Sequence, residues 1–296
     1  MDERKGLKKW LFEHRYQLED LRLMSKMMRD SLLAKLGLLL IGIFLFLAIL
    51  GPLLAPYDPK DQNLDKRFLP PSTEHLFGTD QLGRDIFSRI LYGSQISLVM
   101  GIVVTAILFL IGSSLGLVAG YFGGKVDEII MRATDMFLAF PSLILAMAVA
   151  AALGPSLFNT MLTIAFVGWP RYARLARANC MQVKEETYIE AARAIGVSDR
   201  KIIFSHIMPM IISPMIVQAT INLGGVILLA AGLGFLGLGA QPPAPEWGLM
   251  ISEGRRFISS QWWVAGFPGI MILIVVLGFN LLGDSLRDIL DVRLRR

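Results

Sequence analysis

Cysteine occurs once in the 296 residues, at Cys180, and histidine three times, at His14, His75 and His206, with no two close in sequence. A single cysteine excludes an intrachain disulfide and a thiolate cluster. Scattered histidines give no zinc spacing and no base to activate a serine. The chain has no G-x-x-x-x-G-K-[ST] phosphate loop and no G-x-S-x-G nucleophile elbow. Gly232-Leu233-Gly234-Phe235-Leu236-Gly237 satisfies G-x-G-x-x-G, but it lies in an apolar run with no strand before it. It reads as small residues near a span end and not as a dinucleotide cradle. No catalytic residue, metal ligand or cofactor site is expected, and the chain is not read as an enzyme.

Charge is also scarce, at 18% of residues against 54% hydrophobic, with a mean hydropathy of +0.56. A soluble chain carries about a quarter charged residues. The net charge of +5 and pI near 9.4 need no nucleic-acid partner, because basic loops beside an anionic leaflet account for them. Six stretches lack Asp, Glu, Lys, Arg and His: Leu36 to Leu54, Ser97 to Gly120, Met136 to Leu153, Ser156 to Trp169, Ile207 to Leu238 and Trp262 to Leu282. A bilayer core needs about 20 helical residues, so the expected fold class is an all-α integral membrane protein with six transmembrane helices. The fourth stretch is short and ends at Trp169-Pro170; it either tilts or continues into Tyr172 to Val183. No stretch contains an ionisable side chain, which argues against a transporter driven by its own ion coupling. Powered transport would need another subunit.

Leu36 to Leu54 follows a charged segment and meets Pro56 after Ala55, a poor cleavage context, so it is read as a retained span. With both termini inside, 22 of the 29 lysines and arginines fall in cytoplasmic segments and 7 outside. That asymmetry places both termini in the cytoplasm. The expected organisation is an amphipathic cytoplasmic segment at 1–35, a first span at 36–54, an extracytoplasmic loop at 55–96 and a five-span core at 97–296. Leu7, Trp10, Leu11, Leu18, Leu21, Met24 and Met28 recur at helical spacing, fitting a helix on the membrane surface or packed on a neighbour. Pro141, Pro209, Pro214 and Pro268 permit kinks, and Gly112, Gly116, Gly120, Gly224 and Gly225 permit close helix approach.

The loop at 184–206 is the most patterned. Glu190 through Ile195 favour helix, Gly196 suits a left-handed cap, and Ser198 suits the start of a second helix. A helix-turn-helix tethered at both ends to spans could hardly enter a DNA groove. Glu190-Ala191-Ala192, Gly196 and Pro209 match the E-A-A, three residues, G, nine residues, I-x-L-P pattern of the binding-protein-dependent ABC importer permeases; His206 and Met208 depart from it. The resemblance implies a type I ABC importer permease fold. It also implies a coupling helix at Glu190, Ala191, Ala192 and Gly196 that docks in a groove of an ATPase subunit, the small alanines permitting close docking.

Three further segments resemble the peptide/nickel branch, specifically the second permease of dipeptide and oligopeptide systems. They are His75 to Arg89, Leu233 to Gly248, whose prolines stiffen an exit loop, and Gly278 to Asp291. Asp80, Arg84, Asp85 and Arg89 could pair with each other or with a docking protein, and pairing on one helix face is the preferred reading. The resemblance implies a multi-pass protein of the cytoplasmic (inner) membrane that works with a second homologous permease, two ATP-binding subunits and an extracytoplasmic solute-binding protein. Cargo would be di- or oligopeptides, with nickel or metallophore complexes, glutathione or an opine as alternatives, and an ATP-independent channel as the reading from another class.

Overall fold

The computed structural model describes residues 29–294, so the amphipathic pattern from Leu7 to Met28 lies outside the described residues. Among these residues the backbone is helical without a strand, and one isolated bridge joins Thr79 and Asp85. Helix α1 (Leu32–Leu54) begins where the Ser31 hydroxyl accepts the Ala34 N–H at 3.2 Å, satisfying one of the donors that a helix start leaves open. Helix α2 (Ile86–Phe122) is capped by Asp85, whose carboxylate accepts the Ser88 N–H at 2.7 Å. It begins inside the segment read as loop, because Arg89 interrupts the apolar run but not the helix. Its 37 residues span about 55 Å, beyond the thickness of a bilayer core.

Met136 to Leu153 is not one helix. Helix α3 (Gly124–Leu138) and helix α4 (Ser142–Leu153) meet at 91°. Pro141 lacks an N–H and its ring obstructs a continuing turn, so Met136 to Leu138 belong to α3. Helix α5 (Leu157–Lys184) settles the fourth stretch: it continues through Pro170 to Lys184. Helices α6 (Thr187–Ala194) and α7 (Asp199–Ile202) follow, then a π turn at Ile203–Ile207 that leads into α8 (Met208–Phe235). Helices α9 (Trp247–Gly254) and α10 (Trp262–Leu294) complete the order. Among the described residues four runs are long and apolar enough to cross a membrane, namely α1, α2, Asp199–Phe235 and Trp262–Ile289; α3 and α4 make a fifth if the bent pair is one span. Arg171, Arg174 and Arg177 lower the hydropathy of α5.

Lipid supplies little hydrophobic drive between helices, so close backbone approach carries much of their association. The glycines at 112, 116 and 120 provide it. A Cβ at Gly112 would meet Tyr172 and Trp169, at Gly116 Ala173 and Ala176, and at Gly120 Arg177 and Cys180. Contacts that advance together in sequence mean that α2 and α5 run parallel. Gly37 facing Leu282, and Gly278 facing Leu40 and Ile41, set α1 antiparallel to α10. Gly283 against Ile221 and Gly224 against Val276 set α8 antiparallel to α10. The start of α1, the ends of α2, α5 and α10, and the α6–α7 loop therefore share one end of the bundle.

One core cluster joins α2, α4, α5 and α8 through Leu108, Ala146, Ile164, Met215 and Val226. A second joins α1, α2, α9 and α10 through Phe44, Ile90, Trp247 and Phe279. Leu233 to Gly248, expected as a stiffened exit loop, instead leads into α9, which is packed inside the second cluster. Glu246 caps α9 by accepting the Gly248 and Leu249 N–H groups at 2.8 Å each, and the Trp247 indole donates to the Ile90 carbonyl at 3.3 Å. Burial raises the Glu246 carboxyl above the usual carboxylate range, against the pull of the two backbone donors.

Candidate functional site

The α6–α7 loop sits on a small core of its own. Ile189, Ile202 and Ile207 are fully buried and pack with Leu117 and Tyr121 of α2 and Cys180 of α5. Gly196 closes α6 at φ +83°, with its N–H donating to the Arg193 carbonyl at 2.9 Å and the Val197 N–H donating to the Ala192 carbonyl at 3.0 Å. This crossed pair satisfies carbonyls left open at a helix end and needs the left-handed backbone that glycine adopts freely. The π turn sits just before Pro209, and the Met208 N–H reaches back to the Ile203 carbonyl. Pro209 cannot donate to the carbonyl four residues back and would crowd it, which favours the widened turn.

The residues singled out from the sequence divide between two faces. Glu190 and Ala191 are exposed on the outer side of α6, whereas Ala192 is 9% exposed and turned toward the bundle. Gly196 is exposed at the turn, and Pro209 is exposed in the first turn of α8. Of the two alanines, then, Ala191 is the one open to a docking partner, and Ala192 lets the loop lie close to its own helices.

Sequence reasoning missed two features here. The first is a polar latch at Tyr121, whose hydroxyl donates to the Asp199 carboxylate at 2.5 Å and whose carbonyl accepts from Lys184 Nζ at 2.7 Å. The Arg193 guanidinium lies 5.2 Å from the Tyr121 ring centroid, within cation–π reach. Tyr121 and Asp199 are 78 positions apart, and no local pattern links them. The second is an exposed apolar set, Tyr188, Ile195 and Phe204, with Ile195 81% exposed. The helical spacing of the buried isoleucines was the available signal that the intervening apolar residues face outward.

At the opposite end of the bundle, Asp80, Arg84, Asp85 and Arg89 do pair, but not on a helix face. Asp80 and Arg84 precede α2. Arg84 Nε donates to Asp80 at 2.6 Å, and Arg84 and Arg89 both donate to Glu253 of α9, at 2.8 and 3.3 Å. His75 Nδ1 lies 2.9 Å from Asp85. Both arginines are 1% exposed, and a buried charge persists only when paired and hydrogen-bonded. The cluster ties the segment before α2 to α9 and leaves none of these charges free for cargo. Among the described residues no group of three or more His, Cys, Asp or Glu forms a metal site.

Residues 112–296 match the family model described as "Binding-protein-dependent transport system inner membrane component", and residues 21–71 match that of the "N-terminal TM domain of oligopeptide transport permease C". The chain is 50% identical over 265 residues to the probable D,D-dipeptide transport system permease protein DdpC of Escherichia coli, covering 90% of this chain and 89% of that one. It is 48% identical over 270 residues to the dipeptide transport system permease protein DppC of Alkalihalophilus pseudofirmus, covering 91% and 89%. In fold it is similar to a chain of the inward-facing MetNI methionine ABC transporter, with a TM-score of 0.55 and 21% identity over 67% of this chain and 94% of that one. The chain belongs to the binding-protein-dependent transport system inner membrane components, the multi-pass permeases of ABC importers.

Proposed function

We propose that this chain is one of two homologous permease subunits of a peptide importer. It works with two ATP-binding subunits and an extracytoplasmic binding protein and moves di- or oligopeptides inward by alternating access. The bundle has six spans, with α3 and α4 together the third and α5 the fourth, and both termini are cytoplasmic. The loop at 184–206 is the coupling element: Glu190, Ala191 and Gly196 present its outer face to the ATPase, and Ala192 and Pro209 join it to the bundle.

The observation that carries this reading is the two-sided loop. Its inner face is welded to the ends of α2 and α5 by Ile189, Ile202 and Tyr121, while Tyr188, Ile195 and Phe204 stand exposed beside it. Exposed apolar side chains at a polar end of a membrane bundle fit a partner interface. The dipeptide permeases among its relatives support peptide cargo.

The test is ATP hydrolysis by the purified complex in liposomes, with the binding protein and with di- or oligopeptides added or withheld. Peptide-stimulated hydrolysis is the expected result. ATPases that co-purify but ignore peptides would redirect the cargo to metal complexes, and absence of any ATPase would revive the channel.

A further inference from the structure

A cavity of about 480 Å³ opens among α3, α4, α5 and α8, within the size range of sites for small molecules. Its walls are mostly apolar, with Phe137, Leu143, Val167 and Leu229 among them. Among the described residues, Arg171 of α5 is the only charged side chain on the wall, accompanied by the uncharged polar Asn222 of α8 and Ser142 of α4. The two arginines that follow on α5 are engaged: Arg174 pairs with Asp135 at 2.5 Å, and Arg177 grips both carboxylate oxygens of Asp127. Arg171 makes no hydrogen bond or ion pair with any described residue.

Two glycines on the α8 wall point the same way. A Cβ at Gly224, on the adjoining face, would press on the Val276 backbone at 3.3 Å, so packing explains that glycine. A Cβ at Gly225 would meet only Asn222 Oδ1 at 3.7 Å, and one at Gly232 only Leu143 at 4.0 Å. Neither has a positive φ. Packing and backbone geometry leave both positions unexplained, and what the absent side chains do is keep the groove open beside Arg171.

We propose that this groove is a cargo-contact site in the permease and that Arg171, with Asn222, binds the C-terminal carboxylate of the peptide. The inference rests on the peptide-import reading above and adds the recognised group and the residues that recognise it. A guanidinium matches a carboxylate with two parallel donors, and the apolar walls strengthen that pairing relative to bulk water. Among the described residues no acidic side chain lines the cavity, so none offers the peptide ammonium a counter-ion here and the carboxylate end is the one held.

The test uses the assembled importer in proteoliposomes, with binding protein preloaded either with dialanine or with its C-terminal amide. Preloading removes selection at the capture step. The wild type is expected to move the free acid about tenfold faster than the amide, the size of one charge-assisted hydrogen bond. Arg171→Met and Arg171→Gln bring the acid-to-amide ratio close to one, Arg171→Lys keeps part of it, and Gly225→Leu slows both forms by filling the groove. A wild-type acid-to-amide ratio in Arg171→Met or Arg171→Gln overturns the proposal, as does unimpaired transport in Gly225→Leu. If the wild type moves neither peptide, the peptide reading itself has failed, and that outcome is visible before any variant is made.

Discussion

Gly196 gives the sharpest test of the proposed coupling role of the loop, because its backbone conformation separates cleanly from packing. A Cβ placed there meets nothing within 4 Å, while φ is +83°. Any side chain would therefore fit in space but not in backbone conformation. Holding an L-residue in the left-handed region costs roughly 1–2 kcal/mol, and a β-branched residue is a true outlier there. Asparagine tolerates the conformation best after glycine. For alanine, the lower entropy of the unstructured chain returns about 0.4–1 kcal/mol of the cost. Since 1.4 kcal/mol is tenfold in an equilibrium, Gly196→Val should cut the population of the closed turn roughly tenfold or more. Gly196→Ala should cut it a few-fold and Gly196→Asn least.

The bundle should not notice. Ile189, Ile202 and Ile207 keep their seats on α2 and α5, so each variant reaches the membrane at normal level. The assay is uptake of a labelled dipeptide by reconstituted importer, with ATP hydrolysis measured in the same vesicles. The expected order of transport per ATP is Gly, then Asn, then Ala, then Val. Wild-type coupling in Gly196→Val would show the turn to be dispensable to force transfer and would remove Gly196 from the coupling element.

Other expectations follow from the same geometry. Glu253→Ala leaves Arg84 and Arg89 buried with Asp80 as their remaining carboxylate partner, and breaking such a pair costs about 3–5 kcal/mol; thermal unfolding in detergent should fall accordingly, with Glu253→Gln intermediate. Gly116→Leu forces a side chain into the Ala173 backbone, and overpacking of that kind costs about 1–3 kcal/mol or more, read as loss of folded protein from the membrane fraction. For topology, Cys180 is fully buried and silent, so a Cys180→Ser background carrying Asp65→Cys or Ile195→Cys is needed; an impermeant thiol reagent added outside should label the first and not the second. Ile195→Asp should lower ATPase retention in a pull-down at least tenfold, the loss expected when an interface anchor becomes a buried charge, while the permease remains folded.

Much of this was legible before the structure. Four of the apolar stretches without charges marked the long apolar helices, the glycines at 112, 116 and 120 marked a close helix approach without naming its partner, and the spacing around Gly196 marked a turn between two short helices. What escaped was of two kinds. Continuous apolar composition hid how sharp the bend at Pro141 is, because hydropathy reports the solvent a segment prefers and not the direction it takes; α9, flanked by Glu246 and carrying Glu253, read as loop although it is packed inside the bundle. Long-range polar pairing hid the rest: Arg84 meets Glu253 across 169 positions, and side chains that far apart leave no periodic trace. The helix-face reading of Asp80 to Arg89 failed for that reason, since Glu253, which both arginines meet, lies far along the chain.

The packing also constrains how force can pass through the molecule. The loop's buried face touches α2, α5 and Ile211 at the start of α8, and nothing of α1 or α10 among the described residues of its cluster. Helices α2 and α5 are parallel and joined along their length by backbone contact at Gly112, Gly116 and Gly120, so they resist sliding past each other. Under the proposed coupling role, a push on the loop would reach α2 and α5 as a pair and also the start of α8, into which the π turn leads. At the far end, α2 is tied through Arg89 and Glu253 to α9, and α9 is packed with α10 and α1. The cavity beside Arg171 lies on the α5 side of that pair, facing α3, α4 and α8. Displacement of α2 and α5 toward or away from α8 would change the width of this groove while the ionic tie holds the opposite end. Weakening Tyr121 to Phe removes its hydrogen bond to Asp199 but not its ring contacts. It should lower transport per ATP without lowering ATPase binding, which distinguishes transmission through the latch from simple docking.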